Sequence, residues 1–384
     1  TRWANTPPPS RSLNKPSRAR SAAPRRDLHS RRKLLQCRDL PNRQSDPAKA
    51  YEAAKKYLAC SQAEDQYTEY LKKWSTAYDK EFRKARLNDL FINQRKYSEA
   101  YALAKEILVD EPENMVALMD LGYGGYVIAV TTKNESLNKE AIGYARTAIQ
   151  HIEAGKAPQS WLPFKSKDDA LAYLNYSIGY LDRTANTAEA LKYFIKSAQY
   201  ESEIKKNPQT YAFIAGAYET QYAKLSADYE RDFKDKPESD ASKLAAENIN
   251  QVVDRIIDSL ARAVALAGTN QTLAASKTQW LERLTELYKF RHNQSDAGLT
   301  DMIAGVLNKP LPPVPTPITT LPAATPTSTP TSAPSATSAR PTWPAWRRCS
   351  SRCSSSVPWP GWSRWAPSPW TGRRSRPTPR GTRP

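Results

Sequence analysis

The sequence predicts an all-α fold: an irregular stack of helical hairpins over residues 47–308, flanked by disordered segments. Three observations predict it. Helix-forming residues dominate the interior, and breaker signals recur at roughly 15–30-residue intervals. No interior segment alternates at period 2 over several strand lengths. Finally, the charge sits at the ends. Residues 1–46 carry 12 Lys+Arg against 3 Asp+Glu, and residues 321–384 carry 10 Arg and no acid. Residues 47–320 hold 35 basic and 36 acidic side chains, so the part able to fold has a net charge of −1 within a chain of +18.

The helices are expected over about 47–60, 64–94, 96–110, 114–131, 137–154, 166–183, 186–206, 208–222, 224–235, 238–267, 271–291 and 296–308. In the second, Leu87 and Phe91 are apolar and one turn apart. The third ends at Asp110-Glu111-Pro112-Glu113-Asn114, because Pro112 cannot continue a helix interior. Leu118 and Leu121-Gly122 belong to the fourth, and Ala141, Ala145 and Ala148 line the fifth. Ser166, followed by Asp168 and Asp169, caps the sixth with acidic first-turn residues. Ala190 and Phe194 mark the seventh; Tyr211, Ile214, Ala215 and Tyr218 mark the eighth. The ninth, 224–235, continues the run of helix formers. The tenth has one apolar face, from Leu244 and Ile249 through Val252, Val253, Ile256, Ile257 and Leu260 to Val264, and Gly268 suits its C-terminal cap. His292 follows the eleventh, where a cation suits the helix dipole.

The flanks differ in kind. They hold 20 Arg and 2 Lys, whereas the middle holds 10 Arg and 25 Lys. Residues 1–46 are rich in Pro, Arg and Ser, without a helical period, and are expected to be disordered. Residues 309–341 form a Pro/Thr/Ser-rich linker, extended and unable to bury a core. Residues 342–384 hold six of the ten tryptophans with no period of 3.6 or 2. Trp, Arg, Pro, Cys and Gly with no Lys, Asp or Glu is what a GC-rich gene yields out of frame. The competing reading is a basic aromatic segment that stacks on nucleic acid or inserts in a membrane interface.

Self-similarity is the main functional clue. Ala100-x3-Ala104 with Pro112 beyond it, Leu118-x2-Leu121-Gly122, Ala141-x3-Ala145-x2-Ala148, Ala190-x3-Phe194 and Tyr211-x2-Ile214-Ala215-x2-Tyr218 alternate as second and first helices of paired units. Over roughly residues 64–235 the chain resembles the tetratricopeptide repeat family. The spacing departs from a regular 34-residue unit: Ala100 to Ala141 is 41 and Ala141 to Ala190 is 49 residues, with the excess in loops. The resemblance implies a solenoid-like stack whose first helices line a concave face.

On that face the sequence places Tyr123, Tyr126, Tyr176, Tyr180 and Tyr222, joined by Asn175 and Glu219, as a strip for an extended peptide or protein segment. The alternative for these rings is inter-helix core. The Lys and Asn clamp that the family uses for acidic C-terminal peptides is not visible. The expected function is a non-enzymatic protein-interaction scaffold with an unidentified partner, without cofactor or metal. The alternatives are an enzyme with an unrecognised site among the helices, or binding of nucleic acid or a surface through the Arg/Trp flanks.

His29, His151 and His292 lie in different segments, and Cys37, Cys60, Cys349 and Cys353 cannot assemble four close zinc ligands. No phosphate loop, nucleophile elbow or H-E-x-x-H stands in the chain, and Gly122-x-Gly124-Gly125 reads as close helix packing. A net charge of −1 predicts no nucleic-acid binding by the folded region. No apolar run of about 18 residues is read, so no transmembrane segment is expected. As read, the chain is cytoplasmic, or envelope-located or secreted if an N-terminal signal has been lost, since it begins at Thr1.

Overall fold

The structure is a computed structural model that describes residues 46–60 and 65–320. The expectations for the basic N-terminal flank, for the Arg/Trp tail, and for His29, Cys37, Cys349 and Cys353 lie outside those residues. Every regular element among the described residues is helical. In order they are α1 (Pro47–Cys60), α2 (Gln66–Asn88), α3 (Tyr97–Asp110), α4 (Met115–Thr132), α5 (Asn138–Glu153), α6 (Lys167–Asp182), α7 (Thr187–Gln199), α8 (Pro208–Phe233), α9 (Asp240–Ala267), α10 (Ala274–Arg291) and α11 (Leu299–Gly305). A π turn, Asp89–Asn93, follows α2, and short 3-10 turns precede α10 and follow α11.

The chain divides into two compact units between Phe82 and Arg83, within α2. In the first unit α1 and the start of α2 run antiparallel. Tyr51 donates to Asp79 at 2.8 Å, while the hydroxyls of Tyr57 and Thr68 meet at 3.5 Å. Ala54 and Leu71 form its small core, with Tyr57, Leu58 and Trp74 against them.

In the second unit consecutive helices from α3 to α10 pack against one another, α4 also meets α6, and α11 packs on α9. Caps explain most boundaries. Asn114, Ser166, Asn186 and Asn207 each accept a backbone N–H from the first turn of the helix they precede, and Ser239 and Ser242 form a reciprocal capping box. The expected break near residue 223 is absent. Pro208 sits in the first turn of α8, where its missing N–H costs nothing, and no breaker follows until Asp235 at φ +59. The helix expected over 186–206 stops at Gln199, because Tyr200 turns extended and Ile204 is buried instead in the connecting loop.

α4 corrects one expectation. It is long and apolar enough, by length and composition, to cross a membrane. In this fold 72% of that stretch is buried. Ala117, Leu121 and Ile128 face one cluster with Phe91 and Tyr101, while Leu118, Met119 and Val127 face another. A helix apolar all round suits such a central position. Its glycines permit the approach of α5. A Cβ at Gly122 would lie 2.8 Å from the Ala145 backbone, and one at Gly125 would collide with the Ala141 methyl.

Candidate functional site

Helical periodicity sets the tyrosines of α4 and α6 at one turn's spacing, and the packing of these two helices brings their rings together. Tyr126 meets Tyr176 and Tyr180 edge-on, with ring centroids 5.7 and 5.1 Å apart. Tyr176 and Tyr180 go on to Phe213 of α8, and Phe213 stacks on Phe194 at 5.2 Å. Tyr123 joins through Tyr126, Phe164 and Tyr173. The result is an aromatic column through α4, α6 and α8.

The column is not the solvent-facing strip that the sequence predicted. Tyr126 is 2% exposed, Tyr176 1%, Tyr180 7% and Tyr222 1%. Asn175 is fully buried and Glu219 nearly so; Tyr123 alone of the seven is half-buried. The reason is size. A ring of this area fills the groove between helix pairs, and the edge-to-face geometry adds attraction that an exposed ring forgoes. Burial pushes the Tyr126 and Tyr176 hydroxyls well above their ordinary pKa, and the two hydroxyls bond each other. Burial pushes Tyr222 up to about 12.

The polar members bond within the fold as well. Asn175 donates to the Leu171 carbonyl at 2.7 Å. Glu219 receives Arg283 through two bonds, 2.7 and 2.9 Å, across α8 and α10, and Glu286 holds the third edge of the guanidinium at 2.8 Å. The Asn175 Oδ1 acceptor is buried without a partner, and so is part of Asp120. Asp120 is 2% exposed, one carboxylate oxygen has no partner, and burial raises its pKa well above the usual carboxylate range.

A second arrangement lies on α9. The chain leaves the 3-10 turn at Val306–Asn308 and runs back along α9 as an extended strap, residues 309–318. The linker expected over 309–341 is therefore docked over its first ten residues. Arg262 Nη2 donates to the carbonyls of Lys309 and Pro310, at 3.0 and 2.8 Å. Arg255 Nε donates to Pro313 O at 2.7 Å. Asn248 Nδ2 donates to Ile318 O at 3.1 Å, and Asn248 Oδ1 accepts from Ile318 N at 2.8 Å.

Residues 248, 255 and 262 stand at seven-residue intervals and so share one stripe of α9. Seven helical residues rise about 10.5 Å. Three residues of polyproline conformation span about 9.3 Å, so the carbonyls of Pro310 and Pro313 meet successive rungs. From Pro313 to Ile318 five residues cover the next rung, and the surplus leaves Val314 45% exposed. Asp258, one turn before Arg262, holds its guanidinium at 2.8 Å. Beside Pro315–Pro317 lies a cleft of about 250 Å³ walled by Leu225, Tyr229 and Phe233 of α8 and by Val252 of α9. The rings of Tyr229 and Phe233 are 5.3 Å apart.

Sequence reasoning missed Asn248, Arg255 and Arg262. The available signal was their seven-residue spacing beside the apolar stripe of 244–264, together with Leu311, Val314 and Ile318 interrupting the prolines. No protein-family model, curated protein or solved structure matches this chain.

Proposed function

We propose that the protein is a non-enzymatic scaffold that holds an extended protein segment against its helices. The observation that carries this reading is the three-rung ladder on α9, which grips an extended backbone through side-chain amide and guanidinium groups. Backbone capture of this kind supplies affinity without demanding a particular side-chain sequence. The resemblance of residues 64–235 to tetratricopeptide repeats supports the same class of function. The binding face, however, moves from the first helices to α9, since the aromatic column is spent on packing.

The reading is tested by panning a displayed library of random 15-residue peptides on the full chain. Enriched peptides are then measured by fluorescence anisotropy on the wild type and on Asn248→Ala with Arg255→Ala. Selected binders should weaken about tenfold on the double variant, in line with loss of more than 1 kcal/mol at an interface anchor. Binders indifferent to both substitutions, or a library from which nothing is enriched, would remove the scaffold function from α9.

A further inference from the structure

We infer that the ladder and cleft of α8 and α9 form a binding site for a proline-rich segment of a partner protein, and that the chain's own residues 313–318 are its competitor. This deepens the scaffold reading and rests on it.

The ligand class follows from the donors and acceptors of the site. The two arginine rungs offer only donors and the acceptor among the three rungs is Asn248 Oδ1, while the acceptors Asp228 and Asp232 stand in the wall of the cleft beside them. An ordinary extended peptide laid there would bring a row of N–H groups against guanidinium groups, and each one shut off from water costs free energy. Proline has no N–H, and its φ is already set for an extended path. In the strap, residues 310, 312, 313, 315 and 317 are proline, and the N–H that does find the acceptor belongs to Ile318. The rungs therefore select carbonyl-rich, donor-poor chain with a non-proline residue at Asn248.

The strap has two halves of different character. Residues 309–312 are structural: Arg262 beneath them is 4% exposed, Leu311 packs on the main core, and Val306 just before is 2% exposed. The hydrogen bonds that Arg255 and Asn248 make to residues 313–318 go to their backbone, Pro315 and Ile318 are half-buried, and Pro313, Thr316 and Pro317 are exposed. The cleft beside them keeps its space and its aromatic wall, so the resident segment leaves room at the surface on which prolines pack best. A partner segment takes the same two rungs and gains the Tyr229 and Phe233 rings as well. Because the resident half is tethered, it competes at an effective concentration of order mM, and the apparent affinity for a partner falls in proportion to the share of time the site is covered.

The test uses the full chain and a fluorescein-labelled synthetic peptide with the sequence of residues 309–320. A control peptide carries glycine at its proline positions. The protein variant is Pro313→Gly, Pro315→Gly and Pro317→Gly together, which loosens the outer half and leaves the anchored half alone. This variant should bind the proline-rich peptide about tenfold or more tightly than the wild type does. Adding Asn248→Ala should abolish the gain, and the glycine control should not bind. Ile318→Pro alone, which removes the N–H that Asn248 accepts, gives a second release of the strap and should shift affinity in the same direction. Equal affinity of wild type and both strap variants, or equal binding of the control peptide, overturns the inference. Panned peptides that need α9 but lack prolines would overturn it while leaving the scaffold reading standing. Absence of any binder, panned or synthetic, overturns both.

Discussion

The aromatic column through α4, α6 and α8 and the ladder on α9 differ in what their side chains reach. The column is made of large amphipathic rings, the residues most often found at recognition surfaces, yet Tyr126, Tyr176 and Tyr180 are all buried. The ladder is made of two arginines and an asparagine with no aromatic among its rungs, yet it holds an extended chain. Residue type therefore does not identify a binding face. Tyrosine serves packing wherever a groove between helices can take a ring of its size, because area removed from water dominates. An arginine or asparagine must keep its polar head hydrogen-bonded, and on α9 those heads find backbone carbonyls.

The comparison breaks most sharply at the column. Tyr176→Ala should destabilise the second unit by roughly 3–5 kcal/mol, as expected for a large buried aromatic, seen as a large fall in the denaturant midpoint. A wild-type midpoint combined with lost peptide binding would return Tyr176 to the surface. Glu219 comes next. Glu219→Ala strands Arg283 in a nearly buried site and should cost about 2–5 kcal/mol, at the low end because Glu286 remains. Glu219→Leu combined with Arg283→Met should recover most of that loss, since apolar pairs of similar volume often replace buried ion pairs without penalty. A double variant as unstable as the single one would show that the pair does more than fill space.

Asp120 sharpens the contrast with the opposite sign. Its folded pKa is raised by burial, so the folded state holds this proton to a higher pH than the unfolded state does. The resulting penalty is absent below the unfolded pKa of about 3.9 and grows as pH rises from there toward the folded value. Asp120→Asn should thus stabilise the protein by an amount of order 1 kcal/mol near neutral pH, with a gain that shrinks on acidification. Thermal melts near pH 4 and pH 7 read the difference directly; a gain independent of pH would place a partner beside this carboxylate. The smallest effect belongs to the ladder. Arg255→Ala removes one hydrogen bond at a half-exposed site and should change stability by about 1 kcal/mol or less, while the trans peptide loses affinity. A large loss of stability there would make the outer strap as structural as its anchored half.

Much of the fold was legible from particular residues. Pro112 with Asn114, Ser166 with Asp168 and Asp169, and Gly268 all mark real helix ends, because capping acts over three or four residues and is written locally. Ala141 and Ala145 facing Gly125 and Gly122 were legible as close packing for the same reason. The neighbour relation of Tyr126 with Tyr176 and Tyr180 was legible too, because hairpin order fixes which helices meet. Their exposure was not. Whether a turn of α4 or α6 faces water depends on how far the next pair rotates over it, and on Phe213 arriving from α8.

A helical interior, the ends of most helices and a balanced charge can all be read from the residues in order. These follow from propensity, capping and composition, which need no distant partner. The burial of the aromatic column and the docking of a proline-rich stretch on α9 depend instead on how distant segments pack. Asn248 and Ile318 are 70 residues apart, and Arg262 and Pro310 are 48 apart. The seven-residue spacing of Asn248, Arg255 and Arg262 marks one stripe of a helix but does not say which distant segment lies on it. Those contacts exist only because the chain turns back after α11.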